Sequence, residues 1–424
     1  MEWDTVRPLR LRCLVRNYEW GRFGEESLVG RLFARNSGEE INSGMPYAEL
    51  WMGTHESGPS FVEFGVMQEP VTLKKWVEEN PTVLGEKVVE RWGKDIPFLF
   101  KVLSVRKALS IQAHPDKELA KLLHKARPEL YKDANHKPEM AIALSDFKAL
   151  CGFVSVKELK DVLANVPEIV ELVGTENACV FMNIEEQDGH EEVRAAQTAL
   201  KSIFTSLVTA SKEAVSEVVK KLGDRLIMEQ KVRTLTEKEE LVLLLEKQYP
   251  ADVGVISVFF FNYVHLRPGE ALYIGANEPH AYVFGECIEC MATSDNVVRA
   301  GLTPKYRDVG TLCSMLTYKQ GCPEILPGEP LSPFITRYRP TFDEFEVERY
   351  LLPSGEFLVL SEIPGPCIVI VLSGEGWLRM GSLNEDVSVG NIFFVPAKVE
   401  VMFRAGVATQ LEFYRAGING RFFK

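Results

Sequence analysis

The 424-residue chain has no surplus of positive charge: 48 Lys and Arg stand against 60 Asp and Glu, a net charge of −12. That balance argues against a broad basic surface for nucleic acid, although a small cationic pocket is compatible with it. Long apolar runs are absent too. The best of them, from Val253 to Val264, is too short to cross a bilayer and contains Asn262. The N-terminal stretch MEWDTVRPLRLRCLVRNYEWG has no apolar segment of the kind that makes a secretory leader. Cysteine is scarce, eight residues scattered along the chain, which does not make a disulfide framework. Phosphate-binding GxxxxGK[ST] and GxGxxG turns, a GxSxG elbow and an HExxH helix are all missing. The pair Cys287 and Cys290 has no second pair to complete a zinc knuckle. Nucleotide-driven chemistry and serine hydrolysis therefore fall away. A soluble, cytosolic protein with no nucleic-acid or membrane partner is expected.

What is present is globular: 46% apolar and 25% charged residues, at a length that suggests about two or three domains. Up to about residue 151 short apolar runs alternate with Gly and Pro, as in Pro97–Leu103, Met140–Leu144 and Leu150–Phe153. These read as buried strands, with a helix near Asp116–Ala126 between them. The texture changes at Ser155. Ser155 with Glu158 and Thr236 with Glu239 read as capping boxes, and Val193, Ala196, Leu200, Ile203, Phe204, Leu207 and Val208 recur at helical spacing. Residues 152–252 thus read as an all-helical segment made for packing and not for chemistry. Strand texture is expected again from Val253 to Asn262, so the helical block interrupts a β-domain. Five prolines between Pro323 and Pro340 read as an extended connector, followed by strands at Phe357–Leu360, Ile368–Leu372 and Ile392–Val395.

One internal repeat is visible. Arg267–His280 resembles Ser388–Val401: each has a turn glycine, a buried strand, then a second turn before another strand. Such hairpins are the texture of cupin-type jelly rolls. The first copy ends in His280 and the second in Val401, so one copy has a metal-binding residue that the other lacks.

Several polar residues do not fit a bland core. Gln112 and His114 are two apart, as are Lys137 and Glu139, and extended backbone would aim each pair at one face. With His280 they offer two imidazoles, a carboxylate and an amide oxygen, which suits zinc. Taken singly, each reads as a hydrogen-bonded core or turn residue; taken together, beside apolar strands, they read as a metal site. Arg299 and Lys305 are candidates for clasping an anion, or else solvated charges on a surface loop. Trp20–Gly21 and Pro46–His55 either line a sugar pocket or pack. His55, His124, His136, His190 and His265 read as ordinary structural histidines.

PYAELWMGTH, PFLFKVLS, LSIQAHP, DANHKPEMAIAL, CGF, NEPHAY and SDNVVRAGLTPK, in this order from residue 46 to 305, resemble the type I phosphomannose isomerase family. The C-terminal part is similar only in texture. The resemblance implies one zinc per chain held by Gln112, His114, Glu139 and His280, with Arg299 in the active site. It also implies a mainly β fold with an inserted α-helical domain. The expected order is a catalytic cupin jelly roll (1–151 and 253–322), the helical insertion (152–252), and a degenerate cupin-like domain without metal (323–424). The implied reaction interconverts mannose 6-phosphate and fructose 6-phosphate through an enediolate and supplies mannose 6-phosphate for GDP-mannose. Glu289 is the candidate base, with Lys137 and His136 as competitors; Ser110, Lys305 and Tyr282 are expected to bind the sugar phosphate. A monomer is expected. An iron oxygenase of the same fold would want two histidines, one carboxylate and open positions, and a sugar-phosphate sensor would need no metal set. Gln112 with the Arg/Lys cluster speaks against the first, and the metal set against the second.

Overall fold

The computed structural model describes residues 7–63, 69–184, 189–381 and 383–424; the first six residues of the N-terminal stretch discussed above lie outside them. Two large antiparallel sheets dominate, one of eleven strands and one of nine, accompanied by a four-stranded sheet near the C-terminus. The expected strands are present as Phe98–Val105, Glu139–Ala143, Phe147–Phe153, Phe357–Leu360, Cys367–Ser373 and Ile392–Val395. Lys117–Ala126 is a helix whose Asp116 side chain accepts from Leu119 N.

The centre of the eleven-stranded sheet is one long strand, His280–Ala292. Its first half pairs with Phe147–Phe153 and Ile111–Ala113, and its second half with Phe98–Val105 and Glu139–Ala143. The change of partners is made by a bulge: Ala149 stands opposite Tyr282, but the next pair is Lys148 with Phe284. Gly285 follows at φ 115°, with Asp146 O only 2.5 Å from where a Cβ would be. An extra residue in a strand reverses which residues face a given side. His280 and Tyr282 before the bulge and Glu289 and Met291 after it are brought to one side in this way.

The described residues between 156 and 248 are mostly helical, built on Leu200, Ile203, Phe204 and Leu207 against Leu222, Leu226 and Leu245. Phe204 meets Phe153 of the sheet edge-on, with centroids 5.3 Å apart. Val193, expected on the same apolar stripe, is 46% exposed. Thr236 and Glu239 form a complete capping box, whereas Ser155 accepts from Glu158 N but the Glu158 carboxylate goes to Lys238 Nζ at 2.6 Å. The strand expected from Val253 is helical through Phe260 and becomes a strand only at Phe261. Asp252 caps that turn, and a fully buried apolar run has no periodicity to distinguish helix from strand.

The proline-rich connector also departs from expectation. It contains short strands at Ile325–Leu326, Glu329–Ser332 and Ile335–Tyr338. Pro330 sits on the outermost strand of its sheet, where the missing N–H breaks no ladder. The N-terminal strand Leu9–Arg12 joins the nine-stranded sheet by pairing Leu9 with Phe394. A single apolar core including Leu11, Phe100, Ile288, Phe345, Ile368 and Phe394 therefore spans both large sheets.

The repeat is borne out strand for strand. Ala271–Ile274 and Ile392–Val395 follow Gly269 (φ 90°) and Gly390 (φ 84°), and each is followed by a left-handed residue, Asn277 (φ 63°) or Lys398 (φ 60°). No helix among the described residues is long and apolar enough to cross a membrane.

Candidate metal centre and active site

The register of three strands assembles the metal candidates. Gln112 stands opposite His280 on one side and Arg299 on the other. Glu139 pairs with Met291 and Ile274. The donor atoms of His114, Glu139 and His280 lie within 4.8 Å of one another, and all three residues are buried. His114 Nε2 is 3.5 Å from Glu139 Oε1, and His280 Nε2 is 3.2 Å from Glu139 Oε2.

Whether this trio suits a cation follows from what its other atoms do. His114 Nδ1 lies 2.7 Å from Asn296 O and His280 Nδ1 lies 3.1 Å from Glu278 O. A carbonyl only accepts, so Nδ1 carries the proton and Nε2 presents a lone pair. Both Nε2 atoms are buried and have no hydrogen-bond partner. Two imidazole lone pairs thus converge on a carboxylate, which is the donor set of a zinc site. Burial lowers the His114 pKa to about 4, so its ring is neutral at physiological pH. Burial opposes the charge on Glu139, but the Lys137 ammonium at 3.3 Å, together with the His114 and His280 rings, holds the carboxyl well below its usual range.

A cavity of about 740 Å³ opens onto Glu139 of this trio. Ser110, Gln112, Lys137, Glu139, Tyr282, Glu289, Arg299 and Lys305 all line it, while His114 and His280 are buried behind its wall. The Tyr282 hydroxyl is buried without a partner, and burial, then the charge of Glu289, pushes its pKa well up. Ser110 Oγ lies 3.5 Å from Gln112 Oε1. Burial lowers the Arg299 pKa from its ordinary value, and among the described residues its guanidinium makes no ion pair. Lys305 is exposed at the rim.

Glu289 lies beside a lysine that the sequence reading left in the core. Lys101 Nζ is 2.8 Å from Glu289 Oε2 and 3.4 Å from Glu49 Oε2, and it lies 5.0 Å over the Trp51 ring. Burial raises the Glu289 pKa, Lys101 opposes that rise, and Glu139 and Glu49 add to it. Glu49 also accepts from Trp51 Nε1 at 2.5 Å. A lysine inside the apolar run Phe98–Val105 was the signal available for this group. His55, read as structural, also lines the cavity, with Nε2 3.3 Å from Asp295 Oδ1. Trp20 and Trp51 line the cavity as well and also pack, Trp20 against the cluster of Leu103 and Tyr282 and Trp51 with Leu99 and Met291.

His136, a competitor for the base, turns instead to Glu344 at 2.8 Å. His124 bonds Tyr131 O and His265 lies 3.7 Å from Glu237. Cys287 and Cys290 point to opposite sides of their strand and belong to different apolar clusters, so they cannot share a metal. The helical segment does more than pack: Gln248, Tyr249, Pro250 and Asp252 wall the cavity.

Residues 9–156 match the family described as phosphomannose isomerase type I, catalytic domain, and residues 172–261 match its helical insertion domain. Mannose-6-phosphate isomerase 2 of Arabidopsis thaliana is 58% identical over 98% of this chain and 94% of its own. The chain belongs to the type I phosphomannose isomerase family. It is accordingly an isomerase, as its further relatives are. The mannose-6-phosphate isomerase of Bos taurus is 40% identical over 97% of this chain and 98% of its own. Among solved structures, the mannose 6-phosphate isomerase of Salmonella typhimurium bound to substrate (f6p) and zinc superposes with a TM-score of 0.80. It is 27% identical, over 97% of this chain and 99% of that one.

Proposed function

We propose that this chain is a zinc-dependent aldose–ketose isomerase that interconverts mannose 6-phosphate and fructose 6-phosphate through an enediolate. The observation that carries the reading is the buried His114–Glu139–His280 trio, with two unpartnered imidazole nitrogens, beside a cavity that also holds Glu289, Lys137 and Arg299. Gln112 completes the ligand set as a neutral oxygen donor. When bound, zinc supplies Lewis-acid polarisation of the sugar oxygens.

The side chains then divide the remaining work. Ser110 and Lys305 hold the phosphate, and Tyr282 donates its unpartnered hydroxyl to the sugar. Glu289 as carboxylate takes the proton from C2 of the open-chain aldose and, as carboxylic acid, returns it to C1. Meanwhile the O2 hydroxyl proton passes to O1, a transfer we assign to Lys137. Arg299 lies against the charge that develops on the oxygens, where a fixed donor lowers the barrier most. Burial raises the Glu289 pKa toward the working pH of a general base.

The domains that frame this site are, in our reading, a catalytic cupin jelly roll (1–151 and 253–322), a helical insertion (152–252) and a metal-free cupin-like domain (323–424). We further assign the protein to the cytoplasm, as a monomer that supplies mannose 6-phosphate for GDP-mannose synthesis. The test is turnover of mannose 6-phosphate in heavy water, with and without a chelator. Loss of turnover on chelation, and deuterium at C1 of the fructose 6-phosphate formed, are expected. Full activity in protein shown to be metal-free would overturn the zinc assignment. Complete retention of hydrogen together with an active Glu289→Gln variant would overturn the base.

A further inference from the structure

We propose that Asp252, at the end of the helical insertion, is the positioning residue for Arg299. The strand Val298–Gly301 carries Arg299 to the cavity and runs into Leu302, whose φ of 53° lies in the left-handed region. A leucine persists there only where its surroundings impose the conformation. Asp252 supplies that constraint. Its Oδ1 accepts from Leu302 N at 2.6 Å and Gly254 N at 2.7 Å, and its Oδ2 accepts from Thr303 N at 3.1 Å. The two segments approach so closely that neither flanking glycine has room for a side chain. A Cβ on Gly254 would lie 2.5 Å from Leu302 N, and one on Gly301 would lie 2.6 Å from Gly254 Cα.

Arg299 has no ion pair of its own among the described residues, so its aim depends on the backbone that carries it. That backbone is held on one side by Gln112 in the sheet and at its exit by Asp252. Asp252, Leu302, Thr303 and Arg299 line the same cavity. The helical insertion thus has a task in the active site: its last residue before the Val253 helix fixes the turn that points the arginine. In an Asp252→Asn protein the amide NH₂ would face one of the three backbone N–H groups, donor against donor, and the turn would give way.

This inference rests on the reading of Arg299 as a group that acts on the sugar phosphate, and the experiment separates the two. The full-length wild type, Asp252→Asn, Arg299→Lys and the double variant are compared for kcat and KM with mannose 6-phosphate, with urea unfolding as a check on the fold. Asp252→Asn is expected to lower kcat about tenfold in the wild-type background and less than about twofold in the Arg299→Lys background, because residues in one network couple. Equal losses in both backgrounds, or no loss at all, would overturn the positioning role while leaving Arg299 in place. Normal turnover by Arg299→Lys would overturn the reading of Arg299 and the positioning role with it. Should Asp252→Asn fail to fold, Asp252→Glu keeps the charge while displacing the turn, and the same coupling is expected of it.

Discussion

Replacing Lys101 by methionine tests the electrostatics of the site most directly. Lys101, Glu289 and Glu49 are 5%, 4% and 7% exposed, and the ammonium lies between the two carboxylates. Methionine keeps the length and apolar stem of the lysine but removes its charge, leaving two buried carboxylates with no cation between them. Removing one partner of a buried ion pair costs about 3–5 kcal/mol. That cost has a pH dependence of known sign. Burial already raises the Glu289 pKa and Lys101 opposes the rise, so its loss moves the carboxyl higher still. A carboxyl whose folded pKa exceeds its unfolded value, about 4.3, binds its proton more tightly in the native state. Stability then falls as pH rises between those two values. Urea unfolding should therefore show a small deficit at pH 5 and the full deficit at pH 8. The acid limb of kcat/KM should move to higher pH for the same reason. A deficit equal at the two pH values, with an acid limb that does not move, would refute both the coupling and the assignment of Glu289.

Three further outcomes follow from the same geometry. His280→Ala should lose both bound zinc, measured by elemental analysis, and turnover, since a methyl group opens the site to water; a variant that keeps its zinc would remove His280 from the ligand set. Arg299→Lys should lower kcat with KM little changed, because an ammonium cannot reproduce a planar fork of donors; a normal kcat with raised KM would reduce Arg299 to substrate binding. Val401→His should leave zinc binding at one ion per chain, because the residues around position 401 are apolar; a second ion would contradict the degenerate repeat.

The strands and the long helices were legible because their apolar residues follow simple periods, as Ile203, Phe204 and Leu207 do in the helical block. The gathering of His114, Glu139 and His280 was legible as a candidate because imidazoles and a carboxylate stand out beside apolar strands, while the full ligand set with Gln112 came from the family resemblance. Lys101 was legible only in part, since a lysine in an apolar strand signals a buried ion pair without naming the carboxylates, here Glu289 and Glu49, that hold it. The side to which Glu289 points was hidden. By simple alternation His280 and Glu289 fall on opposite faces, and only the bulge before Phe284 unites them. Nor does periodicity reveal that Leu9 pairs with Phe394, because long-range pairing is set by the shared core and leaves no mark in either segment.

The two hairpin copies separate what the backbone must keep from what chemistry must keep. In the first, Glu139 stands opposite Ile274 in register, and the strand beyond opens with His280. In the second, Cys367 stands opposite Val395, and the following strand opens with Val401. Carboxylate and imidazole are thus replaced by a thiol and an isopropyl group at matching places. Burial pushes the Cys367 pKa up to about 11, so the thiol is neutral, and it packs with Val369, Val371, Val401 and Phe413. The left-handed turns at Asn277 and Lys398 survive in both copies because the hairpin needs them whatever it carries. The second copy keeps its shape by filling with apolar side chains the space that the first reserves for a cation. Its strands Cys367–Ser373 and Ile392–Val395 contribute Ile368, Ile370, Ile392 and Phe394 to the core shared with Phe100 and Ile288, on the strands that carry Lys101 and Glu289. The C-terminal strands in this way stiffen the sheet that carries Lys101 and Glu289.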